Sequence, residues 1–485
     1  MTPAPTLVTS VGRRRSALIV LCFVQFMLVL DDTVVNVALP SIRDELGFTS
    51  AAGLAWTVNA YFLAFGGLLL LAGRAADLLG RRRVFLSGVA LFGVASLACA
   101  AAQEPWQLVV GRFAQGAGAA LASPAAMSLI TLMFPAPEER AKAFGVWGGV
   151  AGLGGTMGLV ISGALTGLAS WRWIFLINLP VAALALVLLP RLVNESRSNR
   201  KARLDVPGAV LGTGAVVSLV YGLLQAGESP WGDAAVLVPL LLAVVLACAF
   251  LAVEARAAEP LVPLPFLAFR TRAVANATSL LFSAAFYAMA FLLMLHLQTA
   301  LGYGPLEAGL AYLPYGAGIL TGMWLSSRAV IRLGSRRTLV ASFLLCSAGL
   351  LLLAGLKPGD GYLSGVLPGL LVASLGAGLG LPALTVAAVT GTTEENAGVG
   401  SAILTSVQQV GGAVGLAVLV TLAARRSDAL AESTSPLTAA TEGFSLALTV
   451  AAALLAVGAA LIAMLLGNLR SGSAVDADGV PAESR

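Results

Sequence analysis

LDDTVVNVALP, Leu30 to Pro40, sets two adjacent carboxylates, Asp31 and Asp32, at the end of a run that carries no charge from Ser16 to Leu30. A carboxylate within a membrane span is costly unless it is protonated, paired or hydrated, and such groups mark ion pathways and proton relays. The stretch therefore reads as the first span of a proton-driven membrane protein.

Composition points the same way. Of 485 residues, 58% are hydrophobic and 11% charged, and the mean hydropathy is +0.91. A soluble chain would be about one quarter charged. The 54 glycines suit close approach of membrane helices. The net charge of +5 comes from basic residues in short loops between apolar segments, which argues against nucleic-acid binding. Cys22, Cys99, Cys248 and Cys346 lie far apart, and there is one histidine, His296. That pattern argues against zinc, haem and a disulfide framework. Arg13 to Arg15 precede the first apolar run as in a signal peptide. The two aspartates and the missing small-residue cleavage site make it an uncleaved helix.

Apolar stretches of about 20 residues are candidate spans. They fall at 16–39, 52–72, 84–102, 107–133, 141–166, 172–190, 206–226, 233–253, 273–298, 308–327, 338–356, 363–389, 398–423 and 444–468, about fourteen in all. Lys and Arg should mark the cytoplasmic loops. They follow spans 2, 4, 6, 8 and 10 and precede span 1, which places both termini in the cytoplasm. Two places fit badly: Gly391 to Asn396 holds Glu394 and Glu395 without a base, and Arg425 and Arg426 should be external.

The expected fold class is all-α integral membrane, with an N-terminal six-helix bundle at 1–190 and a C-terminal one at 272–470. Between them, 191–271 would hold a basic linker and two extra membrane helices, and 471–485 would be a disordered cytoplasmic tail. GRAADLLGRRR (Gly73 to Arg83) and SRAVIRLGSRR (Ser327 to Arg337) form a weak internal repeat. Gly80 aligns with Gly334 and Arg82 with Arg336, while Asp77 aligns with Ile331. Duplicated six-span halves are a transporter signature.

These features resemble the major facilitator superfamily, in its fourteen-span drug:proton antiporter branch. LDDTVVNVALP is similar to that branch's first-span motif, and Gly73 to Arg83 to the superfamily's loop 2–3 signature. Arg112, Gln115, Gly116, Gly118, Ala119 and Ala120 match the span-4 pattern. Gly154, Gly158 and Gly163 fit the antiporter helix, and WRWIFLINLP (Trp171 to Pro180) is typical of the branch. The match departs from the pattern at Leu159, where the antiporter motif has proline, and at Ser162, where it has glycine.

The resemblance implies a major facilitator fold of two six-helix bundles plus two inserted helices, and it implies roles. Asp31, Asp32 and Arg112 would couple protons. Helical spacing sets Gln25, Asp32 and Asn36 on one stripe and favours Asp32 as the cavity acid; the motif places the acid at Asp31, the preferred reading. Gly73, Asp77, Gly80, Arg81 and Arg82 would form a cytoplasmic gate. Asn36, Trp56, Asn59, Tyr61, Gln115, Gln408 and Gln409 would line a cavity for a small lipophilic substrate.

The resulting expectation is a monomeric, cofactor-free exporter in a bacterial plasma membrane, trading a drug, antibiotic or secondary metabolite for protons by alternating access. No GxxxxGK[ST] signature occurs, which argues against drive by ATP. The rivals are a proton-coupled importer, an exporter of an ordinary metabolite, and a non-transporting receptor. An enzyme is disfavoured because the chain has no metal cluster or nucleophile motif.

Overall fold

The structure is a computed structural model that describes residues 11–197, 204–257, 260–262, 266, 268–390 and 397–466. The expected tail at 471–485 and the acidic loop Gly391 to Asn396 lie outside the described residues.

Among the described residues every regular element is helical. The first half holds α1 (Val11–Leu46), α2 (Ala51–Leu79), α3 (Arg81–Ala100), α4 (Pro105–Met133), α5 (Pro137–Leu168), the short α6 (Trp173–Leu176) and α7 (Asn178–Leu192). Then come α8 (Val206–Gln225) and α9 (Ala234–Glu254). The second half holds α10 (Arg270–Thr299), α11 (Pro305–Ala311), α12 (Leu313–Ala354), a π-helical turn (Tyr362–Val366), α13 (Leu367–Ala388), α14 (Ala397–Leu430) and α15 (Pro436–Leu465).

Local chemistry sets several of these starts. Ser50 Oγ accepts from the Gly53 N–H at 3.0 Å, Asp205 Oδ1 from Gly208 at 2.9 Å, and Ser435 Oγ from Thr438 at 3.2 Å. Each satisfies a donor that the first helical turn leaves free.

Thirteen described segments are long and apolar enough to cross a membrane, and one of them, Pro305–Ala354, runs for 50 residues. A continuous helix of that length would extend about 75 Å, against a hydrocarbon core of about 30 Å. The helix breaks at Gly334, with φ 79° and ψ 161°. Two spans therefore occupy this segment, which makes fourteen among the described residues.

Two compact units divide the chain. Unit 1 comprises Met1–Leu261 and Leu297–Tyr312; unit 2 comprises Val262–His296 and Leu313–Arg485. The inserted pair α8 and α9 pack on each other, and α8 packs on α2 within unit 1.

The internal repeat is structural. Gly80 and Gly334 both have positive φ, 113° and 79°, a region that favours glycine. In unit 1, Arg82 Nη1 donates to the carbonyls of Pro190 (3.3 Å) and Val193 (3.0 Å) at the C-terminal end of α7. In unit 2, the aligned Arg336 donates to the Ala463 carbonyl at the end of α15. Each arginine places a cation on the terminal carbonyls of the last helix of its half, where the helix dipole favours positive charge.

The first copy has an addition that charge counting in the linker missed. Glu195 accepts from the backbone N–H groups of Arg82 and Arg83, both at 3.1 Å, and so caps α3. The Arg81 N–H donates to the Ser196 carbonyl at 3.0 Å. Arg425 and Arg426, which fitted the charge rule badly, lie in a part of α14 that runs past the expected span end; Arg426 pairs with Glu442 at 3.4 Å.

A Cβ at Gly80 would sit 2.7 Å from the Glu195 carboxylate, in addition to the strain at that φ. Gly80→Ala should therefore destabilise this corner by about 1–3 kcal/mol and lower the thermal midpoint in detergent. Gly145→Ala, where nothing lies within 4 Å, should not. Equal melting curves for the two variants would contradict the assignment.

Candidate functional site

The residues quoted from the first and fourth spans meet inside unit 1. Asp31 on α1 and Arg112 on α4 both have 0% exposure, and Arg112 Nη1 is 2.5 Å from Asp31 Oδ2. Arg112 Nη1 also donates to Gln115 Oε1 at 2.9 Å, and Nε donates to the Thr57 carbonyl of α2 at 2.9 Å. The guanidinium carbon lies 4.5 Å from the Tyr61 ring centroid, a cation–π distance.

Asp31 Oδ1 accepts from Gln115 Nε2 at 3.1 Å and from Asn178 Nδ2 at 2.8 Å. Gln115 Nε2 donates in turn to Ser96 Oγ at 2.8 Å, and the Cys99 thiol lies 3.4 Å from Gln115 Oε1. One carboxylate and one guanidinium thus sit at the centre of a polar cluster built from α1, α2, α3, α4 and α7.

Backbone approach makes this possible. A Cβ on Gly116 would run into the Tyr61 carbonyl of α2, and one on Gly118 would lie 2.7 Å from the Phe92 nitrogen of α3. The two glycines of the span-4 motif therefore let α4 close on α2 and on α3. Gln115 of α4 and Ser96 of α3 are brought within hydrogen-bonding reach as a result.

The WRWIFLINLP stretch has two tasks. Trp171 Nε1 donates to Glu45 Oε2 at 2.6 Å; Arg172 pairs with Glu45 and donates to the Ala102 carbonyl at 2.8 Å. These contacts tie the start of the sixth span to the ends of α1 and α3. Ile177, with helical φ −59° and ψ −22°, joins α6 to α7, and Asn178 follows as the first residue of α7.

Other expected residues fall elsewhere. Asp32 is only partly buried. The stripe through Gln25, Asp32 and Asn36 therefore selected the less enclosed acid. Tyr61 and Gln115, expected on a cavity wall, are closed into the cluster at 2% and 0% exposure because Arg112 recruits both. Asn36 donates to the Thr33 carbonyl of its own helix at 3.4 Å. Trp56 packs on Tyr221 of the inserted α8, with ring centroids 6.1 Å apart. Asn59 is fully buried, and neither of its amide atoms has a hydrogen-bond partner. Gln408 and Gln409 lie on α14 in unit 2; Gln409 is buried and Gln408 half-buried.

Asp77 pairs with Arg81 at 2.7 Å, one turn on, and a Cβ on Gly73 would meet Pro124 of α4 at 3.7 Å. On α5, a Cβ on Gly154 would lie 3.2 Å from the Phe26 carbonyl. One on Gly158 would strike Thr33, and one on Gly163 would lie 2.6 Å from the Pro305 carbonyl. Gly145, Gly148, Gly149 and Gly152 face open space. Ser162, where the motif has glycine, donates to the Val34 carbonyl at 2.5 Å.

Sequence reading missed Asn178, Ser96, Thr57 and Glu195. The motif around Asn178 was visible, but nothing in its spacing shows which side chain turns inward.

Arg112→Ala would strand a buried carboxylate, which costs about 3–5 kcal/mol. The variant should melt well below wild type in detergent, and the neutral pair Asp31→Asn with Arg112→Gln should recover most of the loss. If the single and double variants melt alike, the pair does not hold this bundle together.

Comparison with known proteins places the arrangement. Residues 21–416 match the Major Facilitator Superfamily. The chain is 41% identical to a puromycin resistance protein of Streptomyces alboniger, over 94% of this chain and 90% of that protein. It is 38% identical to a cephamycin export protein of Amycolatopsis lactamdurans, over 84% of each. Among solved structures, a bacterial homolog of the human lysosomal transporter Spinster, in an inward-facing and unoccupied conformation, superposes with a TM-score of 0.64. It shares 16% identity and covers 94% of this chain and 98% of that one.

Proposed function

Because the chain belongs to the major facilitator superfamily and is a multi-pass membrane transporter, not an enzyme, we propose that it exports a small lipophilic antibiotic or related metabolite in exchange for protons. The resistance and export relatives support the cargo class. The buried Asp31–Arg112 pair supports the coupling.

The physical logic runs through Arg112. With Asp31 ionised, the guanidinium has a counter-charge and the cluster is neutral. A proton on Asp31 leaves Arg112 as an uncompensated cation in a low-dielectric bundle, which is strongly unfavourable. Protonation therefore favours a different arrangement of these helices, and a bistable bundle converts that preference into movement. Substrate leaves while the proton enters, and the gradient drives the cycle without a cofactor. In this reading the protein is a monomer in a bacterial inner membrane, with both termini in the cytoplasm.

A second reading, proton-coupled import, draws on one observation. α5 runs from Pro137 to Leu168 without an internal proline, so the helix lacks the kink-forming residue expected at Leu159. Import would move substrate and proton the same way.

Everted membrane vesicles with an acidic interior and a pH-sensitive dye separate the two. Puromycin, a cephamycin and lipophilic cations should each be tried as the trigger. Antiport predicts substrate-triggered proton release in wild type and in Asp32→Asn, and its loss in Asp31→Asn. Proton movement that survives Asp31→Asn would remove Asp31 from the mechanism. Uptake with proton influx in right-side-out vesicles would establish import.

A further inference from the structure

Asn178 is the first residue of α7, just past its junction with α6, is 1% exposed, and touches Asp31 through its amide nitrogen at 2.8 Å. The other end of the same amide is left over: Asn178 Oδ1 is buried and has no hydrogen-bond partner. A buried acceptor without a donor is expensive and calls for an explanation.

The donor inventory around Asp31 supplies one. Arg112 has five N–H groups and no acceptor. Gln115 is fixed at both ends, since its nitrogen serves Asp31 and Ser96 while its oxygen serves Arg112. Turning it would point an NH2 group at the guanidinium. Asn178 has no such lock on its oxygen; its nitrogen is held by Asp31 and only distantly by Ser96 Oγ, at 3.4 Å. The two ends of an amide are nearly isosteric, and its terminal torsion has broad, roughly two-fold wells.

We propose that Asn178 is a positioning residue of the proton site, donating its N–H to the Asp31 carboxylate and, after a half-turn of the amide, accepting the O–H of the Asp31 carboxyl. The proton arrives from water onto Oδ1, one O–H bond forms there, and the reverse step returns the proton to water. Of the groups that contact Asp31 in this cluster, only Asn178 is free to change from donor to acceptor. The charged and titratable neighbours are Arg112 from α4, Cys99 from α3, Tyr61 from α2 and Asp32 on α1; α7 contributes only the neutral amide. The inference rests on Asp31 being the coupling acid.

The test reads the protonation state directly, without substrate. The full-length protein in liposomes is titrated with acid and base while infrared difference spectra are collected, and Asp31→Asn identifies the Asp31 carboxyl band. In wild type, an amide carbonyl band should shift as that carboxyl band appears. In Asn178→Leu and in Asn178→Ala the amide shift should vanish, and the midpoint of the carboxyl band should rise by about one pH unit, because the hydrogen bond lost from the carboxylate is stronger than the one lost from the neutral carboxyl. Asn178→Ala serves alone if Asn178→Leu does not fold. An Asp31 band that titrates in wild type with no amide shift, and with the same midpoint in the variants, overturns the inference and leaves coupling intact. An Asp31 that never takes up a proton overturns both.

Discussion

A full positive and a full negative charge, both withdrawn from solvent, meet at Asp31 and Arg112, and unit 1 is organised around keeping them together. Neither could be buried alone, since an isolated ion in a low-dielectric interior is far costlier than a paired one. The pair therefore constrains five helices at once. α4 must approach α2 and α3 closely, which the glycines at 116 and 118 permit. The sixth span must present an amide to the pair, which Asn178 does. The ring of Tyr61 must lie over the guanidinium. A cluster whose two charges are paired, while Arg112 Nη2 and Asn178 Oδ1 stay without hydrogen-bond partners, reports any change in its charge.

Much of this was legible in the sequence because membrane burial makes charge conspicuous. Asp31, Asp32 and Arg112 stand out in apolar runs, and span length with loop charge yields the fourteen crossings. Even the break at Gly334 was foreshadowed by its alignment with Gly80. What spacing could not supply was direction across helices. A stripe drawn along α1 favours Asp32, because it counts only residues on that helix. Asp31 is the enclosed acid because of groups that arrive from α4 and α7, which no periodicity in α1 records. Tyr61 and Gln115 were expected on a cavity wall for the same reason: their chemistry suits a ligand, and their partner proved to be a guanidinium.

The two basic loops show how a duplicated element diverges while keeping its mechanical task. Arg82 and Arg336 each hold the carbonyl end of the final helix in their own half. Only the first copy retains an acid at the Asp77 position, and there Glu195 caps the helix that follows. The second copy has Ile331, 75% exposed, where the first has Asp77. Similar backbone bends thus carry different electrostatics.

The contact of Glu195 and Ser196 with the start of α3 sets a rule for anyone cutting or extending the chain. Residues between the sixth span and the inserted helices would pass for spacer on composition, a natural place for a fluorescent reporter, an affinity handle or a split-protein junction. Yet Val193, Glu195 and Ser196 are as much part of the helical bundle as α3 itself, bonded to Arg81, Arg82 and Arg83 through backbone and side chain. Foreign sequence belongs after Ser196; placed before it, an insertion would unfasten the corner that joins the second, third and sixth crossings.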